Sequence, residues 1–456
     1  MTERLVVVGG DAAGMSAASQ ARRRRSSDDL EIVAFEKGRH ASYSACGIPY
    51  WVGGAADGPD ALIARSADEH RAHGIDVRLG TTVTALDPDR GRVLARDRDG
   101  RETWTSYDHL VLATGAVPRR PPIPGIDAQG VYGVQTLDDG EAVLRGLEAG
   151  GVRRAVVVGG GYIGVEMAEA MLRRGLDTTL VDRGAEPMDT LDPDMGRLVR
   201  EAMEKLGVAV VGGAEVREFR TDTAGRVRAV ATDNAEYPAD LVVLGLGTRP
   251  ATALAQDAGL PLGEYGGLLT ELSMRVAGAE RIWAGGDCVE VLDLVSGVRR
   301  HIPLGTHANK HGRVIGINVT GGEAVFPGVV GTAVSKVCDV EIARTGLTES
   351  RARAAGLDAA AVRVEGGDRA SYYPGAGSVT VKMLAERGTG RLLGAQTVGG
   401  EGTAKRVDTL AVALTARMTV EQVVNLDLGY APPFSPVWDP VQVAARKALE
   451  AVGRPR

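Results

Sequence analysis

The sequence carries one short pattern twice, and that repeat limits what the chain can fold into more than any other feature. The first copy begins with the apolar run Leu5-Val6-Val7-Val8 and continues through Gly9-Gly10-Asp11-Ala12-Ala13-Gly14. A helix-favouring stretch, Met15 to Ala21, leads to a second apolar run, Leu30 to Phe35, which closes on Glu36. The second copy runs from Ala155-Val156-Val157-Val158 through Gly159-Gly160-Gly161-Tyr162-Ile163-Gly164 and a helical segment to about Arg174. It ends in Thr178-Thr179-Leu180-Val181 and then Asp182. Continuous β-branched runs read as strands buried on both faces of a parallel sheet. Strand, glycine turn, helix and a second strand ending in a carboxylate form the dinucleotide-binding βαβ unit. The second copy matches G-x-G-x-x-G in full. The first has Asp11 in place of the glycine that lets backbone approach a pyrophosphate. Asp182 can accept from a ribose 2′-hydroxyl and would repel a 2′-phosphate, which favours NADH over NADPH, while Arg183 beside it pulls the other way. Two further buried runs close on glycines: His109 to Leu112 before Thr114-Gly115, and Leu241 to Leu244 before Gly245 and Gly247. One such unit would serve a dehydrogenase using NAD alone. Two point to a flavin dinucleotide and a nicotinamide facing each other for hydride transfer.

Between the two copies lies Ser42-Tyr43-Ser44-Ala45-Cys46-Gly47-Ile48-Pro49-Tyr50. Pro49 suits a first helical position, so Cys46 is expected near the positive end of a short helix, where a thiolate is favoured. The competing reading is a small buried hydrophobe, the usual fate of a free cysteine. Cys288 and Cys338 read as structural, and three scattered cysteines suit neither a disulfide framework nor a metal site. Segment 61–73 reads as a helix, 77–80 and 81–86 as short strands of a small meander, and Pro118 to Gly125 as a crossover between domains. Val407, Leu410, Ala411 and Leu414 in 403–418 have the spacing of a helix that packs into a core or a dimer contact. The run Arg22 to Arg25 suits a dipole-compensating helix end or, through Arg22, a clamp for an anionic ligand. At 456 residues the chain exceeds one core and implies two or three domains. A net charge of −6 argues against nucleic-acid binding. No apolar run reaches the roughly 20 residues of a membrane span, and Met1 to Arg4 carries no signal-peptide pattern, so a cytoplasmic setting is expected.

With Ile282-Trp283-Ala284-Gly285-Gly286-Asp287 added, these motifs resemble the flavin- and NAD(P)H-dependent disulfide reductase superfamily over essentially the full length. The resemblance implies an α/β fold of two Rossmann-like domains, for FAD and NAD(P)H, with a C-terminal α+β dimerisation domain. The implied divisions are 1–117 and 249–325 for FAD, 118–248 for NAD(P)H and 326–456 for dimerisation. It assigns FAD to Gly9, Asp11, Ala12, Gly14, Glu36, Lys37, Val83, Thr114, Gly115, Asp287, Pro303 and Ala308. It assigns NAD(P)H to Gly159, Gly161, Tyr162 (as a gate over the nicotinamide pocket), Ile163, Glu166, Asp182, Gly245 and Gly247. Ala41 stands where two-cysteine members have a second cysteine, and no histidine lies in the implied dimerisation domain. The chain is therefore similar to the single-cysteine subgroup of coenzyme A disulfide reductases, NADH oxidases and NADH peroxidases. Ser42, four residues before Cys46, follows that subgroup, and Ser42 and Arg22 are its expected substrate contacts.

Tyr372-Tyr373-Pro374-Gly375 and Tyr430-Ala431-Pro432-Pro433-Phe434 look like coenzyme A disulfide reductase, in which a tyrosine from each motif serves the partner subunit's active site. By position these are Tyr372 and Tyr430, expected to join Cys46 as catalytic residues of a homodimer with shared sites. Ala45 departs from the asparagine found there in that reductase. The implied activity passes hydride from NAD(P)H through FAD to a Cys46 mixed disulfide, reducing a low-molecular-weight disulfide such as coenzyme A disulfide. The alternatives are an NADH oxidase or peroxidase cycling Cys46 through sulfenic acid, for which His40 is a nearby acid/base group, and a polysulfide or persulfide reductase. A flavoprotein that mainly binds or signals is a third class. Neither nucleic acid nor membrane is an expected partner.

Overall fold

A computed structural model describes residues 2–453. The first pattern forms what its sequence predicts: strand Glu3–Val8, helix Ala12–Arg24 and strand Leu30–Glu36. These two strands join Asp76–Leu79, His109–Leu112 and Ile282–Ala284 in a five-stranded parallel sheet. Ile282–Ala284 thus returns, from far along the chain, to the edge beside His109–Leu112. The second pattern builds an equivalent parallel sheet from Ala209–Val211, Asp177–Val181, Arg154–Val158, Leu241–Leu244 and Val131–Gly133. In both sheets the strand of the glycine turn is central, which places its carboxyl end where ligands bind in open α/β sheets.

The two turns are built alike down to one contact. A Cβ on Gly14 would lie 1.9 Å from the Gly9 carbonyl oxygen, and one on Gly164 would lie 1.8 Å from that of Gly159. Each helix therefore starts so close to its strand that only glycine fits.

Two short strands, Ala116–Pro118 and Thr248–Pro250, pair antiparallel where the chain leaves and re-enters the first unit. This agrees with the crossover read at Pro118 to Gly125. A meander also forms, from Thr82–Asp87, Arg92–Arg96 and Glu102–Ser106, but 77–80, expected to belong to it, instead supplies the strand Asp76–Leu79 to the edge of the parallel sheet. Beyond residue 330 a five-stranded antiparallel sheet runs in the order Ala333–Val337, Val340–Gly346, Leu392–Gly399, Ser378–Glu386, Ala359–Gly367. Helices Arg406–Thr415 and Pro440–Val452 contribute Leu410, Leu414, Val441 and Ala445 to the core of this unit.

A second expectation is corrected as well. Segment 61–73 is not a single helix but a turn at Asp60–Leu62 and a helix Ala67–Ala72. Ser66 and Glu69 form a reciprocal capping box that starts the helix afresh. Ile63, between the two, is extended and bridges to Tyr43. That bridge matters for the site below. Among the described residues no helix is long and apolar enough to cross a membrane.

Candidate functional site

Cys46 lies in a single tight turn, Ala45–Gly47, directly before the short helix Ile48–Val52, with Pro49 one residue inside that helix. The loop carrying it is pinned at consecutive residues. Ser42 N–H donates to the Gly10 carbonyl at 3.0 Å, and Tyr43 N–H donates to Asp11 Oδ1 at 3.1 Å. Ala64 N–H in turn donates to the Ser42 carbonyl at 2.8 Å. Asp11, off pattern for a pyrophosphate turn, thus ties the first nucleotide turn to the cysteine loop. Ser42 has φ of 49°, a left-handed conformation a serine rarely holds without support. The support is His70, whose Nε2 lies 2.9 Å from Ser42 Oγ and whose ring is buried.

Two expectations are overturned at this point. Arg22 is no anion clamp: its guanidinium donates to the carbonyls of Arg25, Leu30 and Gly74 at 3.0, 2.6 and 3.0 Å, and burial holds its pKa below the ordinary arginine range. It fastens the helix end to its neighbours. The Cys46 thiol, expected to be acidified, is instead pushed up. The residue is exposed by area, yet enough protein surrounds the sulfur that burial is the first cause. The charges of Glu166, Asp287 and Asp11 follow. One helical turn cannot offset burial and three carboxylates.

Each nucleotide unit closes on a carboxylate that organises its own turn. Glu36 accepts from Gly10 N–H at 2.7 Å and Gly38 N–H at 2.6 Å, and Asp182 accepts from Gly184 N–H at 3.3 Å. At the end of Ile282–Ala284, the backbone around Asp287 is held by the His301 ring at 2.9 Å and by the His311 ring on Gly286 N–H at 3.1 Å. Asp287 itself is half-buried, its side chain has no hydrogen-bond donor among the described residues, and burial raises its pKa to about 6. A carboxylate in such a place fits a ligand hydroxyl, and bound FAD would supply one. Next to it, a Cβ on Gly286 would lie 3.1 Å from the Ala13 Cβ and 3.8 Å from the Ala308 Cβ, so the first helix and Ala308 close on this turn. The Thr114 hydroxyl donates to the Ala251 carbonyl at 2.7 Å. Lys37 and Pro303 are exposed and Val83 packs on the first core.

Glu166, from the second unit, is shared between regions. Ser335 Oγ donates to it at 2.9 Å, its charge is felt at Cys46, and burial raises its pKa to about 7. Tyr162 turns its phenol toward Thr190 and Arg344, at 3.3 and 3.2 Å. Tyr50, four residues beyond Cys46, joins the same region: its phenol is pushed up by burial and by the Glu166, Glu169 and Cys46 charges. Sequence reasoning passes over Tyr50 and His70. Tyr50 carries a local signal, the helical spacing from Cys46, whereas His70 carries none. Tyr372 and Tyr430 do come together, each within electrostatic reach of the other on the exposed surface of the C-terminal unit. Among the described residues neither bonds to Cys46 of its own chain. Cys288 is buried, its thiol donating to the Leu112 and Gly285 carbonyls at 3.4 and 3.3 Å, as a structural cysteine should. Cys338 sits in the turn after Ala333–Val337 with its N–H on Glu169 at 2.7 Å. No group of metal-binding side chains occurs among the described residues.

A substitution tests the electrostatics. Because Glu166 is raised from an ordinary value near 4.5 to about 7, the folded state prefers its protonated form. Its favourable contribution is present below pH 4.5 and lost as pH rises through 7. Glu166→Gln, which mimics the protonated carboxyl, is expected to leave the melting temperature of the FAD-loaded protein unchanged near pH 4.5 and to raise it at pH 8. An equal shift at both pH values contradicts the assignment.

Comparison with known proteins agrees with this architecture. The family model described as pyridine nucleotide-disulphide oxidoreductase matches residues 3–312, and its dimerisation domain matches residues 332–440. The chain is 37% identical to a protein named NADH oxidase from Methanocaldococcus jannaschii, over 98% of this chain and 99% of that one. It is 38% identical to the NAD(P)H coenzyme A polysulfide/persulfide reductase of Pyrococcus horikoshii, over 98% of each. Its structure superposes on an NAD-dependent persulfide reductase from A. fulgidus with a TM-score of 0.94 and 42% identity, covering 98% of this chain and 82% of that one.

Proposed function

The chain belongs to the pyridine nucleotide-disulphide oxidoreductase family, and we propose that it reduces a small sulfur–sulfur substrate at Cys46, with coenzyme A disulfide the leading candidate. As a family member it is an FAD-dependent oxidoreductase that takes hydride from NAD(P)H. The observation that carries the substrate reading is the placement of one cysteine, without a second, on a loop anchored to the FAD turn by Asp11 and facing Glu166 of the nicotinamide unit. Bound FAD supplies the two-electron relay between nicotinamide and thiol.

The protein residues do the rest. Cys46 attacks one sulfur of the substrate as a thiolate, forms a mixed disulfide and expels the other half as a thiol. Two electrons from one NAD(P)H then restore Cys46 and release the second thiol, so one disulfide and one proton are consumed per NAD(P)H. A single protein cysteine suffices, because the bound substrate half takes the place of a second. The raised Cys46 pKa makes a nearby proton donor and acceptor useful. Tyr372 and Tyr430 of the second subunit fill that role in a homodimer with shared sites. The polysulfide and persulfide chemistry in the names of the relatives uses the same attack on an S–S bond, and Ala45, which has no side-chain hydrogen bond to offer a pantetheine arm, keeps that acceptor in competition. Asp182 favours NADH, and three free thiols suit a reducing cytoplasm.

A steady-state panel tests this reading: coenzyme A disulfide, cystine, glutathione disulfide, polysulfide and oxygen, each with NADH and NADPH. Coenzyme A disulfide or polysulfide is expected to give the highest kcat/KM, with NADH preferred. Oxygen uptake that accounts for all NADH oxidation, without thiol release, would sink it in favour of an oxidase.

A further inference from the structure

The C-terminal sheet carries a row of charged and polar side chains, and its two ends are treated differently. Arg363, Lys382, Gln396 and Arg344 occupy directly opposed positions on four neighbouring strands. At Lys382, itself buried, Asp192 lies at 3.3 Å, Asp194 at 2.6 Å and Glu349 at 2.5 Å. Gln396 next to it donates to Asp192 at 2.6 Å. That end of the row is neutralised in full.

Arg344 is not. It is only 7% exposed, yet its one side-chain hydrogen bond among the described residues is from Nε to the Tyr162 phenol. Two more guanidiniums gather around it. Arg351, half-buried on the helix Glu349–Ala354, lies within electrostatic reach of both Arg344 and Arg300 and makes no side-chain bond. Arg300 has its Nε buried without any acceptor. The carboxylates in range are Asp189 and Asp293, and Asp293 is already engaged with the Val295 and Ser296 N–H groups at 2.9 and 3.2 Å. Three guanidiniums face two carboxylates, so the cluster keeps a net positive charge, and the Arg300 Nε is buried without a partner among the described residues. Proteins keep such a group only when something pairs with it.

We propose that Arg300, Arg344 and Arg351 form a binding site for a small multivalent oxyanion of the phosphate or pyrophosphate type, distinct from the glycine turn of the second nucleotide unit. Planar guanidinium forks match the oxygen geometry of such anions. Tyr162 stands at the edge of the site and shares Arg344 with it, so occupancy is communicated to the mouth of the nicotinamide pocket. The proposal does not depend on which disulfide the enzyme reduces.

Titration calorimetry of the FAD-loaded protein with inorganic pyrophosphate at low ionic strength tests it. One anion per chain is expected, with NADH still able to bind. Arg351→Gln, at a half-buried position that tolerates change, is expected to weaken pyrophosphate binding roughly tenfold or more, the size of one lost charge-assisted hydrogen bond. Arg344→Gln should do the same, with thermal melting to verify that it folds. Arg145→Gln, on the separate helix Leu137–Glu148, should leave the affinity unchanged. Absence of pyrophosphate binding, equal binding by all four proteins, or one-for-one displacement of pyrophosphate by NADH would each overturn the proposal.

Discussion

Cys46→Ser is expected to abolish NAD(P)H-dependent disulfide turnover, by about three orders of magnitude or more, as when other enzymes lose a covalent nucleophile. Serine keeps the size of the side chain and its place in the Ala45–Gly47 turn, so the loop anchors at Ser42 and Tyr43 remain. What disappears is the only sulfur in the region able to form a mixed disulfide, because Cys288 is buried against two carbonyls and Cys338 lies in another unit. Stopped-flow mixing with NADH should still bleach the flavin absorbance of the variant at a rate within about twofold of the parent, since hydride transfer precedes the cysteine step. That split between intact flavin reduction and absent thiol release is the signature to look for. Substantial turnover by the variant would remove Cys46 from the mechanism whatever the substrate. A collapse of flavin reduction would mean instead that the cysteine shapes the nicotinamide side.

The parts of this protein legible in its sequence are those whose determinants are local. Both nucleotide units follow from contiguous signals: a β-branched run, a glycine turn whose Gly14 or Gly164 admits no Cβ, and a terminal carboxylate. The parts that escape depend on distant neighbours. Arg22 reads as an anion clamp until the fold delivers the Leu30 and Gly74 carbonyls to it. Cys46 reads as acidified by a helix until Glu166, from the other nucleotide unit, and Asp287, from the returning strand, are brought against it. His70 is silent in the sequence because its role exists only through the strained Ser42 backbone it supports. The split of segment 61–73 is a different kind of case: Ser66 and Glu69 form a local capping box, and that signal was available in the residues themselves.

Tyr372→Phe/Tyr430→Phe is expected to slow disulfide turnover about a hundredfold, the lower range for losing a positioned proton donor, with flavin reduction unchanged. The stronger prediction concerns which Cys46 these tyrosines serve. They lie near each other on an exposed surface, Tyr372 at 75% and Tyr430 at 50% exposure, with the equally open Phe434, Val437 and Trp438 in the same stretch of chain as Tyr430. An apolar patch of this kind marks a contact surface, and it lies in or beside the segment matched by the dimerisation domain, residues 332–440. If the surface is closed by a second copy, each tyrosine pair meets the cysteine of the other chain. Mixing the Cys46→Ser protein with the double tyrosine variant under conditions that exchange subunits then creates heterodimers with one fully intact site. Random re-pairing makes half of the dimers mixed, each with one of two sites restored, so about one quarter of parental activity should return. Tyrosines that served their own chain would give no recovery at all, because no chain in the mixture carries both Cys46 and the phenols. The experiment therefore reads the geometry of the assembly directly from turnover, with the two unmixed variants as its baseline.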